Sequence, residues 1–316
     1  MSDHPILTAG FIAPSTALPR SARSVVDKTA RLLRRGLGVT TIRESPHLFS
    51  SDEEIDHVTA PAAERSAFFK EIIREADLVM SVAGGTGAED LAFALDRKDY
   101  RVIRERRPLI IGFSDFTFLL NEIYYSARVP LIYFPSLKLG KGNFKKLLSL
   151  IRGETVIDRG SRWLTPPPKR SLTGIPIGGN LTTFVNFLNR EKPPRFSWRR
   201  HILFIEDVNI DVEDLHRLLA ALRRHQVLDK VKGIVVGCLY AYNHNHNYRR
   251  NQKEALKFIK TYVRDAITAR RQQGRPLPIL AVSNFGHNIV RDLMAVPIGG
   301  RATITRSKRI LFRLPR

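Results

Sequence analysis

What most restricts the fold of this chain is the alternation, through its first half, of short apolar runs with segments of helical spacing. Ile6–Ala13, Val39–Arg43, Asp77–Ala83 and the run ending at Gly112 have the length and composition of buried strands. Between and after them lie Ser24–Gly36, Ala62–Glu75, Ala88–Leu95 and Phe116–Ala127, which read as helices. In the second of these, Phe68, Phe69, Ile72 and Ile73 share one face. Strand alternating with helix predicts a parallel sheet covered on both faces. Ligands of such sheets bind beyond the C-terminal ends of the strands. Two stretches fall there, Gly84-Gly85-Thr86-Gly87 and Ser114-Asp115.

Ser114 lies on the turn between the run Leu109–Gly112 and the helix Phe116–Ala127. A sharp turn at that point pushes a hydroxyl out past the strand and aims the amides of the next helix toward it, which is the logic of a nucleophile elbow. The match is partial, because Asp115 and Thr117 replace the usual downstream glycine. Ser followed by Asp after a strand is also an ordinary helix N-cap with an acidic first turn, and on this stretch alone the cap reading comes first.

Hydrophobic residues fill 43% of 316 positions, enough for about two domains that fold without disulfide or metal support. The one cysteine, Cys238, excludes an intrachain disulfide, reads as packed at the end of a buried strand, and fits a reducing compartment. No run approaches the roughly 18 apolar residues of a membrane span, so a cytoplasmic protein with no membrane partner is expected. No metal is expected either, since His244 and His246 stand at i and i+2 in a polar loop without a nearby acidic or cysteine partner. Gly84–Gly87 is no phosphate loop, for no Lys-Ser/Thr pair follows and GxGxxG is absent, and no cofactor is expected. The net charge of +22, from 52 Lys+Arg against 30 Asp+Glu, raises nucleic acid, an anionic membrane or an acidic substrate as partners. The basic residues are scattered, however, and only Arg195–Arg200 interleaves aromatics with charge. They read first as solvated faces, with nucleic acid a minor reading.

From 149 to 176 the pattern lapses, with Gly153, Gly160, Pro166-Pro167-Pro168 and Gly174, and Trp163 embedded among them. The expected organisation is therefore an N-terminal nucleophile domain over 1–148, a linker over 149–176, and a C-terminal domain over 177–316. In the last, His201–Glu206 is a strand ending in the acidic pair Glu206-Asp207. Asp211–Arg224 is a helix whose Leu215, Leu218, Leu219 and Leu222 repeat at three and four, and Val231–Cys238 is a buried strand. Gln252–Arg270 reads as one long basic helix, Ile279–Val282 as a strand leading into Ser283–His287, and 295–298 and 301–312 as returning strands.

Ser114, Glu206 and His287 all fall just beyond expected strand ends. Acyl transfer requires this set: a serine hydroxyl is a weak nucleophile until an imidazole takes its proton, and the imidazole needs an acceptor on its other nitrogen. Each residue has a plainer reading. Glu206 or Asp207 could satisfy backbone amides at a turn, and His287 could be a hydrogen-bonded loop residue. Gly84–Gly87 is either a tight turn or a device that brings a backbone N–H to a developing oxyanion. Trp163 is either a hinge anchor or a lid that stacks on substrate.

Taken in order, these segments resemble the L,D-carboxypeptidase family of serine peptidases, which also contains the microcin C immunity peptidases. The likeness runs through Ile12-Ala13-Pro14-Ser15, Gly84–Gly87, Ile111–Thr117, Gly178–Thr182, Ile202–Val208, Phe285-Gly286-His287 and Val296–Ala302. What it implies is a triad of Ser114 as nucleophile, His287 as general acid/base and Glu206 as its orienting carboxylate. It also implies an oxyanion hole from the backbone N–H groups of Gly85 and Asp115, and a site at the interface of the two domains. Family members are cytoplasmic, metal-free and commonly homodimeric. Thr86 stands where the family usually carries an aromatic residue, and Tyr133-Phe134-Pro135 replaces a usual Phe-His-Gly, so the substrate contacts, for which Thr86, Asn180 and Trp163 are the candidates, depart from the family.

The expected fold is α/β, an N-terminal parallel-sheet domain followed by a smaller mixed α/β domain. The expected function is a serine carboxypeptidase that releases terminal D-alanine from muropeptide tetrapeptides during peptidoglycan recycling. An immunity-type peptidase cleaving a peptidyl nucleotide is the alternative, and a non-hydrolytic, nucleic-acid-binding protein that kept the fold is the third reading.

Overall fold

The computed structural model describes residues 5–49, 60–240, 248–287 and 291–315. The chain divides into two compact units, one made of Met1–Glu154, Ala295–Gly299 and Leu314–Arg316, the other of Thr155–Met294 and Gly300–Arg313.

In the first unit, strands β1 (Thr8–Ile12), β2 (Thr41–Glu44), β3 (Leu78–Ser81), β4 (Leu109–Gly112) and β5 (Leu131–Tyr133) pair in parallel in the order β2-β1-β3-β4-β5. The central β3 is buried at all four positions, as a strand covered on both faces must be. The connections carry α1 (Arg23–Leu37), α2 (Ala62–Glu75), α3 (Ala88–Ala94), α4 (Arg97–Arg106), α5 (Thr117–Ala127) and α6 (Lys141–Ile151). On α2, Phe69, Ile72 and Ile73 are buried and Phe68 is half-buried. The helix α4 was legible in the sequence only as a basic stretch. Asp96 and Asp99 start it with a capping box, each carboxylate accepting from the other's backbone N–H.

The sixth place in this sheet goes to Val296–Ile298, which pairs antiparallel with β5. The segment was expected as a strand of the C-terminal domain. It makes the sheet mixed, and it covers a β5 edge that would otherwise present unpaired backbone groups. Pro297 is tolerated because the strand lies at the sheet's margin.

The second unit holds β6 (Val156–Arg159), β7 (Arg162–Trp163), β8 (Leu172–Asn180), β9 (His201–Val208), β10 (Gly233–Tyr240), β11 (Ile279–Ala281), and, counting Val296–Ile298 as β12, also β13 (Arg301–Ile304) and β14 (Arg309–Arg313). The order is β6-β14-β13-β8-β9-β10-β11-β7. The four strands β8 to β11 are parallel, and antiparallel strands flank them on either side. Residues 149–176, read from sequence as a linker, thus carry β6, β7 and the start of β8. Strands of two and four residues are too short for a period-two signal to stand out. The helices are α7 (Leu181–Leu188), α8 (Val212–Arg224), α9 (Val227–Lys230), α10 (Tyr248–Tyr262) and α11 (Arg264–Gln272). The single helix expected over 252–270 is therefore two, parted at Val263. On α8, Leu215, Leu219 and Leu222 face the core, and Asp211 caps the N-terminus in a second capping box. Among the described residues no helix is long and apolar enough to cross a membrane.

Candidate active site

The turn after β4 is strained. Phe113 is extended, and Ser114 then adopts φ +59 before a 3-10 turn over Ser114–Phe116 leads into α5. A positive φ at a residue with a side chain costs about 1 kcal/mol or more and persists where surroundings impose it. The cap reading of Ser114 fails here, because the N-cap positions of the 3-10 turn and of α5 are Phe113 and Phe116, and neither start has a side-chain cap bond. The Ser114 N–H instead donates to the Tyr133 hydroxyl on β5 at 3.3 Å, and the Phe113 and Tyr133 rings pack with centroids 5.0 Å apart. Tyr133 thereby braces the elbow.

Gly84–Gly87 follows β3, the neighbouring strand. A Cβ on Gly84 would lie 3.1 Å from Ser114 Oγ, so the chain passes beside the hydroxyl with no room for a side chain. Gly85 has φ +125, and the space its Cβ would need is taken by Thr16, whose N–H donates to the Gly84 carbonyl at 3.2 Å. Thr86 is exposed at the tip of the turn.

Two charged side chains hold this turn, Asp115 from the elbow and Arg65 from α2. Asp115 is more than an acidic residue in a first turn: its Oδ2 accepts from Ser15 Oγ at 2.7 Å and from the Ala88 N–H at 2.8 Å. Burial pushes its carboxyl up, and those hydrogen bonds work against the shift. Burial raises Glu89 as well, with the Asp115 charge adding to it. Arg65 of α2 is 4% exposed and donates to the carbonyls of Ala60 (2.8 Å), Gly87 (2.7 Å) and Pro14, and to Asp90 Oδ2 at 2.6 Å. Sequence reading missed Arg65. The signal was there, since it stands one and two turns before Phe69 and Ile72 on the face of α2 that is otherwise apolar.

In the second unit, β9 carries two consecutive buried carboxylates, which the pleat sends to opposite sides. Glu206 was expected past the end of its strand. It lies inside, paired with Asn180 of β8, because the ladder with β10 continues to Val208. Glu206 is fully buried, and its Oε2 accepts from His287 Nδ1 at 2.7 Å. The Phe285 carbonyl accepts from the Cys238 N–H at 2.8 Å, which fixes the start of the loop. Gly286 has φ +135, and a Cβ there would stand 3.0 Å from both Glu206 Oε2 and Cys238 Cβ. The histidine can close on the carboxylate only because a glycine precedes it. An ionised carboxylate can only accept, so Nδ1 carries the proton and Nε2 is the basic nitrogen. Cys238 itself is buried and packed, as expected.

Asp207, on the other side of β9, accepts from Thr182 N–H (2.8 Å), Thr182 Oγ1 (2.7 Å), Asn180 Nδ2 (2.7 Å) and its neighbour's Val208 N–H (2.8 Å). Burial, and then the adjacent Glu206 charge, pushes its carboxyl up to about 6. Asn180 also caps α7, accepting from the Thr183 N–H at 3.0 Å. Trp163 is half-buried on β7, and its Nε1 donates to the Arg306 carbonyl at 3.1 Å. Among the described residues no three His, Cys, Asp or Glu side chains are grouped to hold a metal ion. His244 and His246 lie outside the described residues.

The first unit thus offers a hydroxyl on a strained strand-to-helix turn beside a glycine turn, and the second an imidazole held by a buried carboxylate. Comparison with known proteins says which class these parts belong to. The N-terminal domain profile of the LD-carboxypeptidases matches residues 9–133, and the C-terminal domain profile matches residues 173–304. The chain belongs to the LD-carboxypeptidase family and is a serine peptidase of that kind. It is 26% identical to a Treponema pallidum (strain Nichols) protein assigned as a carboxypeptidase, over 95% of this chain and 90% of that one. It is likewise 26% identical to the microcin C7 self-immunity protein MccF of Escherichia coli, over 76% and 75%. The fold matches MccF solved in complex with aspartyl sulfamoyl adenosine, with a TM-score of 0.74 at 20% identity over 99% of this chain and 97% of that one. It also matches the muramoyltetrapeptide carboxypeptidase of Oxalobacter formigenes, with a TM-score of 0.70 at 20% identity over 98% and 99%.

Proposed function

We propose that Ser114, His287 and Glu206 act as the triad of an L,D-carboxypeptidase, which releases the terminal D-alanine of muropeptide tetrapeptides through an acyl-enzyme. The observation that carries this reading is the positive φ of Ser114 at the end of β4, a conformation suited to presenting a nucleophile and not to capping a helix. In this scheme His287 Nε2 takes the proton of Ser114 Oγ as the oxygen attacks the scissile carbonyl, then gives it to the leaving amine of D-alanine. Water, activated by the same imidazole, hydrolyses the resulting ester. Glu206 keeps the ring in one tautomer and stabilises its positive charge. The backbone N–H groups of Gly85 and Asp115 receive the carbonyl oxygen as it becomes an oxyanion, and Thr86, Asn180 and Trp163 contribute to binding the substrate. The reading carries with it a cytoplasmic homodimer that works in peptidoglycan recycling without a metal.

The likeness to MccF supports a second substrate, a peptidyl or aminoacyl nucleotide cleaved by the same chemistry, with Trp163 stacking on the base. Parallel incubations of the purified protein with a disaccharide tetrapeptide and with aspartyl sulfamoyl adenosine separate the two. Release of D-alanine at the higher kcat/KM is the expected result. Faster release of aspartate would move the assignment to the nucleotide, and no release from either would overturn both.

A further inference from the structure

One outward face of the second unit's sheet gathers four arginines and no acidic residue. Arg159 of β6, Arg309 and Arg313 of β14, and Arg301 of β13 are all exposed. The register sets them directly opposite one another, Arg309 against Arg159 and Arg313 against Arg301. Like charges facing each other across a ladder destabilise it. Nor are they neutralised locally, for among the described residues none of the four guanidinium groups has a hydrogen-bond or ion-pair partner. Asp158, the acidic residue of β6, points to the buried side.

Between the two arginine pairs runs a row of different chemistry, in which Ile157, Leu311, Thr303 and Thr173 stand side by side across β6, β14, β13 and β8. Ile157 is 46% exposed. Along β14 the pairs are about 13 Å apart, from roughly 3.3 Å per residue. Beyond Arg309, the turn joining β13 to β14 brings Arg306 beside Lys169 and Arg170 around a surface hollow, which extends the positive field.

We propose that this face docks the protein peripherally on an anionic lipid bilayer, with the arginine pairs on lipid phosphates and Ile157 and Leu311 at the headgroup boundary. Charge complementarity calls for an anionic partner, and the apolar row narrows the choice. A phosphodiester strand makes no use of an exposed isoleucine, and none of the outward positions of β6, β14 and β13 carries an aromatic ring on which a base could stack. A second copy of the same face would meet its own charges. A bilayer accepts both parts, phosphates for the guanidinium groups and a shallow apolar layer for the side chains between them.

Co-sedimentation of the full chain with phosphatidylcholine vesicles, with and without phosphatidylglycerol, tests this. Wild-type protein is expected to bind only the anionic vesicles. Arg159→Gln with Arg309→Gln is expected to weaken that binding by roughly 25-fold, from about fivefold per arginine, while Ile157→Ser weakens it a few-fold. Arg34→Gln with Arg35→Gln, the same change of charge on exposed positions of α1, serves as the control and is expected to cost much less. All the substituted side chains are solvent-facing, and removing one like-charge pair should raise the thermal midpoint of the β6/β14 variant. Failure of wild-type protein to bind anionic vesicles would overturn the proposal, as would equal losses in the two double variants. So would a β6/β14 variant that loses binding to a single-stranded oligonucleotide while keeping its binding to vesicles.

Discussion

At the scale of single residues, Arg65 shows how a buried cation is kept. Its guanidinium ties together the carbonyls of Pro14, Ala60 and Gly87 and the carboxylate of Asp90, so three chain segments around the elbow share one side chain. Removing it takes this donor from the Pro14 and Ala60 carbonyls, at about 1 kcal/mol or more each, while the Gly87 carbonyl keeps the Asp90 N–H. Arg65→Met is therefore expected to lower the unfolding free energy by about 2 to 4 kcal/mol in urea titration, and to slow turnover more than it raises KM. Arg65→Lys, which keeps the charge but not the fork, should recover only part of each. The nucleophile itself was partly legible. The sequence placed Ser114 on a strand-to-helix turn, yet that stretch alone read first as a cap, because the choice between cap and elbow rests on one backbone dihedral. Glycines were more informative: Gly85 and Gly286 mark positions where a positive φ and a close neighbour both forbid a side chain.

At the scale of elements, β9 sets two adjacent carboxylates to different tasks by the alternation of its pleat. Glu206 meets His287, and Asp207 accepts four hydrogen bonds near the start of α7. Folded Asp207 keeps its proton to about pH 6, whereas an unfolded aspartate releases it near 3.9. Between those values the folded state binds more protons than the unfolded one. The stability this group contributes is thus full below about pH 4 and lost as pH rises through about 6. Asp207→Asn should therefore gain thermal midpoint relative to wild type between pH 4 and pH 6, with the difference level above that, whatever its offset at pH 4. Parallel curves for the two proteins would contradict the assignment. Most helices and buried strands were readable from period and apolar content, with ends correct to a few residues, but α4, α6, α9 and β5 were not read as such. The short strands β6 and β7, the break at Val263 and the placing of Val296–Ile298 beside β5 were not, since each depends on pairing or packing with residues far away in sequence.

At the scale of the whole molecule, the family is written across nearly the full length of the chain, and so are the α/β architecture and the two sheets. The charge is written there too, but only in part: the sequence showed basic residues scattered along the chain, and the register of β6, β14 and β13 is what collects four of them on one face. The proposed function rests on Ser114 as a nucleophile driven by His287 and Glu206. Mass spectrometry of a disaccharide tetrapeptide muropeptide, incubated with wild-type, Ser114→Ala or His287→Ala protein of verified fold, tests it most directly. Loss of one D-alanine with wild type and an unchanged peptide with either variant are the expected results. Wild-type turnover by Ser114→Ala would contradict the proposed function.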